Sequence, residues 1–405
     1  MSQTINTRMP VTAMLGANMF FSGVTFAATV PYASIVGVET LGMSTAQFAT
    51  LYSASAIVGT FISVALGYLS DKLPDRRILV LMATLAGMLG HGLIYLVPTQ
   101  LSFIIATALV MPLGFSAFSQ SFAYVRVFYN RRDPAKADFM VSALRTVFTV
   151  AWTIVPPLAG YVAAEYSVFD VYLMSALSYA ACGLIFVTMM TDKCTRVANV
   201  PPAPKAATVP GAPVGRLPLP IISGIAGLTI IVVATRLSGM GMPLLIVTQL
   251  GGTLADVGIY AGIAAALELP FMIGWGYLLA RFSKESILIF NGVLYALYLF
   301  LVSQAQSVSD VLWLQGLNGI AMAALMSVNI SYLQDAIKGR VGLSTSLMDV
   351  VAIAATLLSS AAFGLWSAGA DYRVVITGGA GCAVAGALIM LAGNTGRLRR
   401  VAPAQ

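Results

Sequence analysis

Charged residues are scarce in this 405-residue chain. They make up 9% of the sequence, whereas hydrophobic residues make up 59%. A water-soluble domain needs roughly a quarter of its residues charged to cover its surface. The composition therefore excludes a chain that is exposed to water over most of its area. The charges are grouped in short loops between apolar runs of about 20 residues, the length that spans a bilayer as a helix.

Residues that usually build metal and catalytic sites are also few. The chain has three cysteines (Cys182, Cys194 and Cys382) and a single histidine, His91. None of them lies at metal-ligand spacing, so neither a disulfide framework nor a metal site is predicted. There is no phosphate-binding loop and no nucleophile–base arrangement, which argues against ATP-driven transport and enzymatic chemistry. We predict a protein that is not an enzyme and has no cofactor.

Twelve apolar segments predict an all-α membrane protein with twelve transmembrane helices, called spans 1 to 12 below. They cover residues 11–37, 45–70, 77–98, 101–126, 136–164, 169–191, 219–246, 254–281, 285–304, 308–334, 341–368 and 372–393. A stretch rich in proline and alanine follows span 6 and cannot hold a helix. We therefore predict two pseudo-symmetric six-helix bundles, residues 1–191 and 217–405, joined by a cytoplasmic linker at residues 192–216.

Positive charge is distributed unevenly between the two ends of the spans. Apart from Arg145, Arg236 and Arg373, the 22 Lys and Arg residues lie at the termini or in loops after even-numbered spans, which puts 19 of them (22 − 3) on one side. The odd-numbered loops instead carry or adjoin carboxylates: Glu39, Glu165, Asp170, Asp256, Asp310 and Asp371. The positive-inside rule then places both termini in the cytoplasm. The net charge of +7 comes from basic residues spread over these loops and termini. We therefore predict no nucleic-acid partner.

Two loops of the chain nearly repeat each other. The segment Gly67–Val80 (GYLSDKLPDRRILV) returns as Gly276–Ile289 (GYLLARFSKESILI), an offset of 209 residues (276 − 67). A repeat of half the chain length is typical of secondary transporters built from two related bundles. In the first copy Gly67 permits close helix approach, and Arg76 and Arg77 can hold the start of span 3 at the cytoplasmic surface.

The first copy resembles the loop between the second and third helices of the major facilitator superfamily. In that family an aspartate, here Asp71, helps to latch the two bundles on the cytoplasmic side, and its arginine partner here would be Arg126. The resemblance implies a gating role for Asp71, Arg76, Arg77 and Arg126. The second copy lacks the aspartate, which implies a weaker latch there. A positively charged loop without a gating role is the alternative.

Three further stretches resemble the bacterial sugar efflux transporters, a branch of the same superfamily. They are Ala151–Val162 (AWTIVPPLAGYV), Gly262–Phe282 (GIAAALELPFMIGWGYLLARF) and Tyr332–Gly342 (YLQDAIKGRVG). The resemblance implies a monomer in the bacterial inner membrane that exports small sugars or glycosides in exchange for protons by alternating access. Close branches export drugs, amino acids or siderophores from similar scaffolds. A proton-driven multidrug or metabolite exporter is therefore the alternative.

Four charged residues lie at predicted bilayer depth: Arg145 in span 5, Arg236 in span 7, Glu268 in span 8 and Asp349 in span 11. Each costs at least ~2.5–3.5 kcal/mol at a helix centre, so each should face a cavity or a partner. Glu268 lies 13 residues (281 − 268) from Arg281, or about 20 Å deep at the rise of an α-helix. Its apolar neighbours favour the neutral acid, which suits a carboxyl that loads and releases protons.

Proton coupling is predicted for Glu268, Asp349 and Arg145. In the superfamily's architecture spans 5 and 8 meet, so Arg145 and Glu268 could form a pair that breaks during the cycle and couples proton binding to opening. Asp349 is the rival proton site, and it roughly matches Arg145 in the internal repeat. The structural alternatives are a permanent salt bridge for Glu268, and for Arg145 either bonds to backbone carbonyls or an extended side chain that reaches the surface.

A sugar site needs planar polar groups and an aromatic face in a preformed cavity. Spans 1, 4, 7 and 10 line the cavity in this superfamily. The predicted substrate-binding set is Asn18, Gln120, Tyr124, Trp152, Arg236, Asn318 and Asn329, with Trp152 as the stacking platform. Any one of these polar residues could equally join helices to each other. The 19 methionines would also suit a promiscuous drug cavity.

Overall fold

The computed structural model describes residues 9–73, 75–197, 218–336 and 341–401. These residues form helices and turns and contain no strand. Twelve helices within the described ranges are long and apolar enough to cross a membrane. The prediction of an all-α protein with twelve spans is therefore confirmed. Most of the predicted linker, residues 198–216, lies outside the described residues.

The α-helices of the twelve spans have the following bounds: Val11–Ala27, Thr45–Lys72, Arg77–Leu96, Met111–Arg132, Ala137–Glu165, Asp170–Met190, Leu219–Leu244, Leu254–Leu278, Lys284–Ser303, Val308–Ala336, Val341–Trp366 and Tyr372–Val401. Span 4 begins earlier, with a short helix at Gln100–Ile105 and a π-helical turn at Ala106–Val110. The predicted bounds of this span, 101–126, were six residues short at the carboxyl end.

The chain divides into two compact units. Unit 1 groups the described parts of residues 1–42 and 54–211, and unit 2 groups residues 43–53 and the described parts of 212–405. The first turns of span 2 thus belong to unit 2. There Phe48 packs edge-on against Phe363 of span 11, with 6.0 Å between the ring centroids.

The turns after spans 1 and 7 have the same backbone course. Both spans continue into a π-helical turn, Ile35–Thr40 and Leu245–Gln249. Each turn is followed by a glycine in the left-handed region, with φ of 69° at Gly42 and 67° at Gly251. Only glycine adopts this conformation without steric cost. The two glycines are 209 residues apart (251 − 42), which is also the offset between the repeated segments Gly67–Val80 and Gly276–Ile289.

The helices that follow these glycines begin with equivalent caps. The Ser44 hydroxyl accepts from the Gln47 N–H at 3.1 Å, and the Gln47 side chain accepts from the Ser44 N–H at 2.8 Å. The Thr253 and Asp256 pair repeats this arrangement, at 3.3 Å and 2.8 Å. Such reciprocal caps satisfy two N–H groups that lack helical partners. The duplication is therefore visible in backbone geometry as well as in sequence.

Small residues set the closest helix contacts in unit 2. Spans 7 and 12 approach each other at Gly227 and Gly386, where a Cβ atom added to Gly386 would lie 2.5 Å from the Gly227 carbonyl oxygen. Spans 8 and 10 meet at Gly319, where an added Cβ would lie 2.6 Å from the Cβ of Leu267. In a bilayer, helix association depends on this kind of close van der Waals packing. The same packing brings the polar side chains described next together.

Candidate functional site

A chain of hydrogen-bonded polar side chains lies buried between spans 9 and 10. The Gln315 amide N–H group donates to the Tyr298 hydroxyl at 3.1 Å and to the Val311 carbonyl at 2.9 Å. The Gln315 amide oxygen accepts from the Asn318 amide at 2.7 Å. Tyr298 and Gln315 are fully buried, and Asn318 is 5% exposed. Because each group is bonded to the next, the orientation of the Asn318 amide is set before any ligand arrives.

Three more hydroxyl groups extend this chain to spans 7 and 8. The Tyr260 side chain interacts with Tyr298 and Ser238, and the Tyr295 side chain also interacts with Ser238. Ser238 and Tyr295 are buried. We call the resulting set the hydroxyl–amide cluster: Ser238, Tyr260, Tyr295, Tyr298, Gln315 and Asn318. Its members come from four spans of unit 2.

Glu268 lies on the same helix as Tyr260, about two turns further along. Its half-buried carboxyl interacts electrostatically with the side chains of Tyr260 and Tyr295. The ion pairs found among the described residues are Arg77–Asp75, Lys136–Asp133 and Lys284–Asp335, so none of them includes Glu268. The structure thus places a carboxyl without a described salt bridge next to a set of hydroxyl groups.

Two further charged side chains of unit 2 lie within helices that are long and apolar enough to cross a membrane. Arg236 is exposed although it lies 17 residues (236 − 219) into the helix Leu219–Leu244, and it interacts with Tyr52 of span 2. Asp349 of span 11 is also exposed. Since a bare charge in hydrocarbon is costly, both side chains require water or a polar ligand.

The remaining predicted residues differ in their surroundings. Asn18 of span 1 is fully buried, and its two amide atoms have no hydrogen-bond partner among the described residues. Gln120 and Trp152 are half-buried and Arg145 is exposed. In unit 2, Asn329 is half-buried. A buried amide without a hydrogen-bond partner is costly, so a polar ligand or water that bonds to it gains the most binding free energy.

Tyr124 and His91 have partners inside unit 1. The Tyr124 hydroxyl donates to the Thr195 carbonyl at 2.7 Å, and its ring lies 5.2 Å from that of Phe186. The structure therefore places this predicted sugar ligand in the core near the end of span 6. His91 is also fully buried, with Nδ1 2.8 Å from the Gly87 carbonyl.

The repeated loop in unit 1 is organised around Arg77. Its guanidinium forms a buried ion pair with Asp75 at 2.6 Å. It also donates to the Met189 carbonyl at 2.9 Å and to the Thr195 hydroxyl at 2.7 Å. These bonds join the start of span 3 to the end of span 6 and to the turn Lys193–Thr195.

Fewer contacts are described for the other predicted gating residues. The Arg76 N–H donates to the Val197 carbonyl at 3.4 Å, and the Arg126 side chain is exposed. The Asp71 side chain lies outside the described residues, although its backbone is part of span 2. Gating by these residues stays a prediction, and the partners of Arg77 that are described lie within unit 1.

Sequence reasoning missed four members of the hydroxyl–amide cluster: Ser238, Tyr260, Tyr295 and Tyr298. One signal was available, because Tyr295 and Tyr298 are three residues apart and therefore share a helix face. It also missed Asp75 as the partner of Arg77, although the two are only two residues apart. Tyrosine in an apolar span is common at membrane surfaces, which made this signal weak.

The chain is similar in sequence to known transporters. Residues 4–136 match the family profile described as Major Facilitator Superfamily. The chain is 29% identical over 333 residues to sugar efflux transporter C of Escherichia coli, which covers 81% of this chain and 82% of that protein. It is 26% identical over 373 residues to sugar efflux transporter A of Dickeya chrysanthemi, covering 90% and 92%. The chain is thus similar to the Major Facilitator Superfamily over residues 4–136 and to sugar efflux transporters over most of its length.

Solved structures of transporters share this fold. The structure of the peptide transporter POT in complex with sulfate matches with a TM-score of 0.78 at 13% identity, covering 98% of each chain. The nucleoside transporter NupG matches with a TM-score of 0.71 at 13% identity, covering 95% of this chain and 99% of that one. At such identities the likeness concerns the fold alone. The described residues thus form a multi-pass α-helical membrane protein with the fold of these transporters.

Proposed function

We propose that this transporter exports small sugars or glycosides across the bacterial inner membrane by proton antiport with alternating access. The relatives that share 26–29% identity over most of the chain are sugar efflux transporters, which supports the substrate class. The observation that carries the proposal is the hydroxyl–amide cluster beside Glu268. Sugars are recognised by such oriented hydroxyl and amide groups in a preformed site.

The cluster offers a sugar both donors and acceptors. Asn318 uses one amide N–H on Gln315, so its oxygen and second N–H are available to a pair of neighbouring sugar hydroxyls. We also propose substrate contacts for the predicted residues Asn18, Gln120, Trp152, Arg236 and Asn329. Tyr124, whose hydroxyl is bonded within the core, acts on packing instead.

Glu268 couples the sugar to the proton in this proposal. An ionised carboxyl accepts strong, charge-assisted hydrogen bonds from sugar hydroxyls. Protonation removes that charge and weakens the binding of the sugar to Glu268, so the proton and the sugar bind alternately. Binding linkage is reciprocal, so bound sugar disfavours protonation by the same free energy. Alternate occupancy of one site by two ligands is what an exchanger requires. Asp349 and Arg145 are the further charges that the cycle can use.

Orientation and partners follow from the charge distribution. With the basic loops inside, both termini are cytoplasmic, and the turns that follow spans 1 and 7 face outward. The partners are the sugar, protons and the lipid bilayer, and the transporter works as a monomer.

Uptake into inverted membrane vesicles tests the substrate and the driving force. The vesicles receive an imposed pH gradient, acidic inside, and a panel of labelled sugars, glycosides and cationic dyes. Labelled sugar should accumulate in the vesicles and leave when the gradient is collapsed. Accumulation of dyes without any sugar would contradict the proposal and favour a multidrug exporter.

Glu268→Gln tests the proton site. This variant should lose sugar accumulation driven by the pH gradient, since a glutamine takes up no proton. Exchange of internal for external sugar without a gradient should persist, with the half-saturation concentration raised by up to about tenfold for the loss of one charge-assisted bond. Glu165→Gln, at an exposed position at the end of span 5, is the matched control. Unchanged gradient-driven transport in Glu268→Gln would move the proton site to Asp349.

A further inference from the structure

A cavity lined by both polar and apolar groups opens at the end of unit 2 where the odd-numbered loops lie. Its volume is about 710 Å³, and its lining includes Ser303, Gln304, Gln306, Trp366, Arg373 and Thr377. No member of the hydroxyl–amide cluster is among its lining residues. The volume lies in the range of pockets that hold small molecules.

One hydrogen bond joins spans 9 and 12 at the wall of this cavity, and two more lie among residues at and just after the end of span 9. The Arg373 guanidinium donates to the Ser303 carbonyl at 2.6 Å. The Gln304 amide donates to the Ser303 hydroxyl at 3.0 Å, and the Gln306 amide donates to the Gln304 carbonyl at 3.1 Å. Each glutamine keeps its amide oxygen and a second N–H outside these bonds. The cavity therefore presents planar groups with both donors and acceptors.

One aromatic ring completes the lining. The half-exposed Trp366 lies against the backbone of Gly378, where an added Cβ would be 2.5 Å from the ring atom Cε3. The glycine thus lets the indole sit directly on span 12 and holds its orientation. An indole of fixed orientation can pack on the C–H surface of a ligand.

Charge around the cavity disfavours ions of either sign. The odd-numbered loops of unit 2 carry or adjoin three carboxylates, Asp256, Asp310 and Asp371, against Arg373 as their one basic residue, so their field disfavours anions. Inside the cavity, however, the guanidinium of Arg373 repels cations. The nearest carboxyl in sequence, Asp371, is bonded to the Arg373 N–H at 3.0 Å and to the Gln249 amide at 3.3 Å. A neutral molecule rich in hydroxyl groups fits this surrounding best.

We propose that this cavity is a second, separate sugar-binding site, which holds a neutral sugar or glycoside at the outer face of the transporter. The amide groups of Gln304 and Gln306 and the guanidinium of Arg373 pair with sugar hydroxyls, and Trp366 packs on the sugar ring. The site receives the exported sugar as it leaves, and it therefore rests on the proposed function for its substrate class.

Protection of an introduced cysteine tests the site in the full-length protein. Thr377→Cys places a thiol at an exposed position of the lining, in a background with the accessible cysteines replaced (Cys194→Ser, Cys382→Ala). Intact cells are treated with a membrane-impermeant maleimide, with and without mono- and disaccharides and their methyl glycosides. A bound sugar should slow labelling saturably, by ~10-fold when its concentration is ten times Kd. Salt at matched osmolality should leave the labelling rate unchanged.

Two further variants decide whether the cavity itself binds the sugar. Gln306→Ala removes an exposed lining amide and should raise the half-protecting concentration about five- to tenfold. Ala164→Cys, exposed at the outer end of span 5, should label at the same rate with and without sugar. Equal protection in Gln306→Ala and its parent, or equal slowing at Ala164→Cys, overturns the proposal.

The result also separates this site from the proposed function. Sugar transport in vesicles without any protection of Thr377→Cys overturns the outer site and leaves sugar export standing. Saturable protection that is weakened by Gln306→Ala supports the outer site even where no sugar transport is found, in which case sugar export alone fails.

Discussion

Asp75→Asn distinguishes anchoring from gating in the repeated loop of unit 1. The Asp75 and Arg77 side chains are 9% and 4% exposed, and their ion pair measures 2.6 Å. Asparagine keeps the shape of the side chain and its ability to accept from the Arg77 N–H, which lies 3.0 Å from the carboxyl oxygen. It removes the charge, however, and leaves the buried guanidinium with the Met189 carbonyl and the Thr195 hydroxyl as neutral acceptors.

The expected loss of stability is large. Removing one partner of a buried ion pair costs about 3–5 kcal/mol, because the remaining charge is desolvated without compensation. Since asparagine retains one hydrogen bond, we expect a value near the lower end, about 3 kcal/mol. The matched control is Asp133→Asn, whose ion pair with Lys136 measures 3.3 Å and joins side chains that are 39% and 72% exposed. A surface pair of this kind contributes about 0–1 kcal/mol.

The assay is the free energy of unfolding in mixed micelles titrated with a denaturing detergent, together with sugar transport at a temperature where both variants are folded. Asp75→Asn should unfold much more readily than Asp133→Asn and transport normally while folded. Adding Arg77→Met to Asp75→Asn should restore part of the stability, because a buried pair is replaced by apolar or neutral groups. Wild-type stability in Asp75→Asn, combined with a loss of transport, would refute the anchor and favour a gate.

Two further predictions concern glycines. Gly251→Ala should lower the free energy of unfolding by about 1–3 kcal/mol, because its φ of 67° is strained for residues with a Cβ; Gly239→Ala, whose added Cβ meets no atom within 4 Å, should leave stability unchanged or raise it by up to about 1 kcal/mol. Gly386→Ala should separate spans 7 and 12 at Gly227 and destabilise unit 2 by about 1–3 kcal/mol. The control for Gly386→Ala is Gly381→Ala on the same helix, where an added Cβ meets no atom within 4 Å. The free energy of unfolding of each variant and its control is measured in denaturing detergent. Equal stability within either pair would contradict the corresponding steric argument.

Much of the scaffold was predictable from local properties of the chain. The twelve spans follow from the length and composition of apolar segments, since a helix is the structure that satisfies every backbone polar group within one segment in hydrocarbon. The duplication was also readable, and the structure extends it to the Gly42 and Gly251 turns at the same offset of 209 residues (251 − 42). The sequence also predicts Glu268 to be a functional carboxyl, because an unpaired charge inside a bilayer is costly, and that role stays a prediction.

The partners of these residues were less predictable. Arg77 was read as a gating residue from the family resemblance, whereas the structure gives it a buried partner two residues away and acceptors at the end of span 6. Tyr124 was read as a sugar ligand because it lies on a cavity-lining span, but its hydroxyl is bonded to Thr195. The gating role of Arg77 and the sugar contact of Tyr124 stay predictions, and the structure adds the partners that each side chain has within unit 1.

The sequence by itself determined the number of spans, their limits within a few residues, the duplication and the depth of the charged residues. These are properties of one segment at a time, set by the transfer of backbone and side chains into lipid. The tertiary structure decided which faces of the spans meet, and so the joining of Tyr260, Tyr298 and Gln315 from spans 8, 9 and 10. The physical reason is that lipid and protein interior are both apolar, so hydrophobic periodicity does not orient a helix that lies between them.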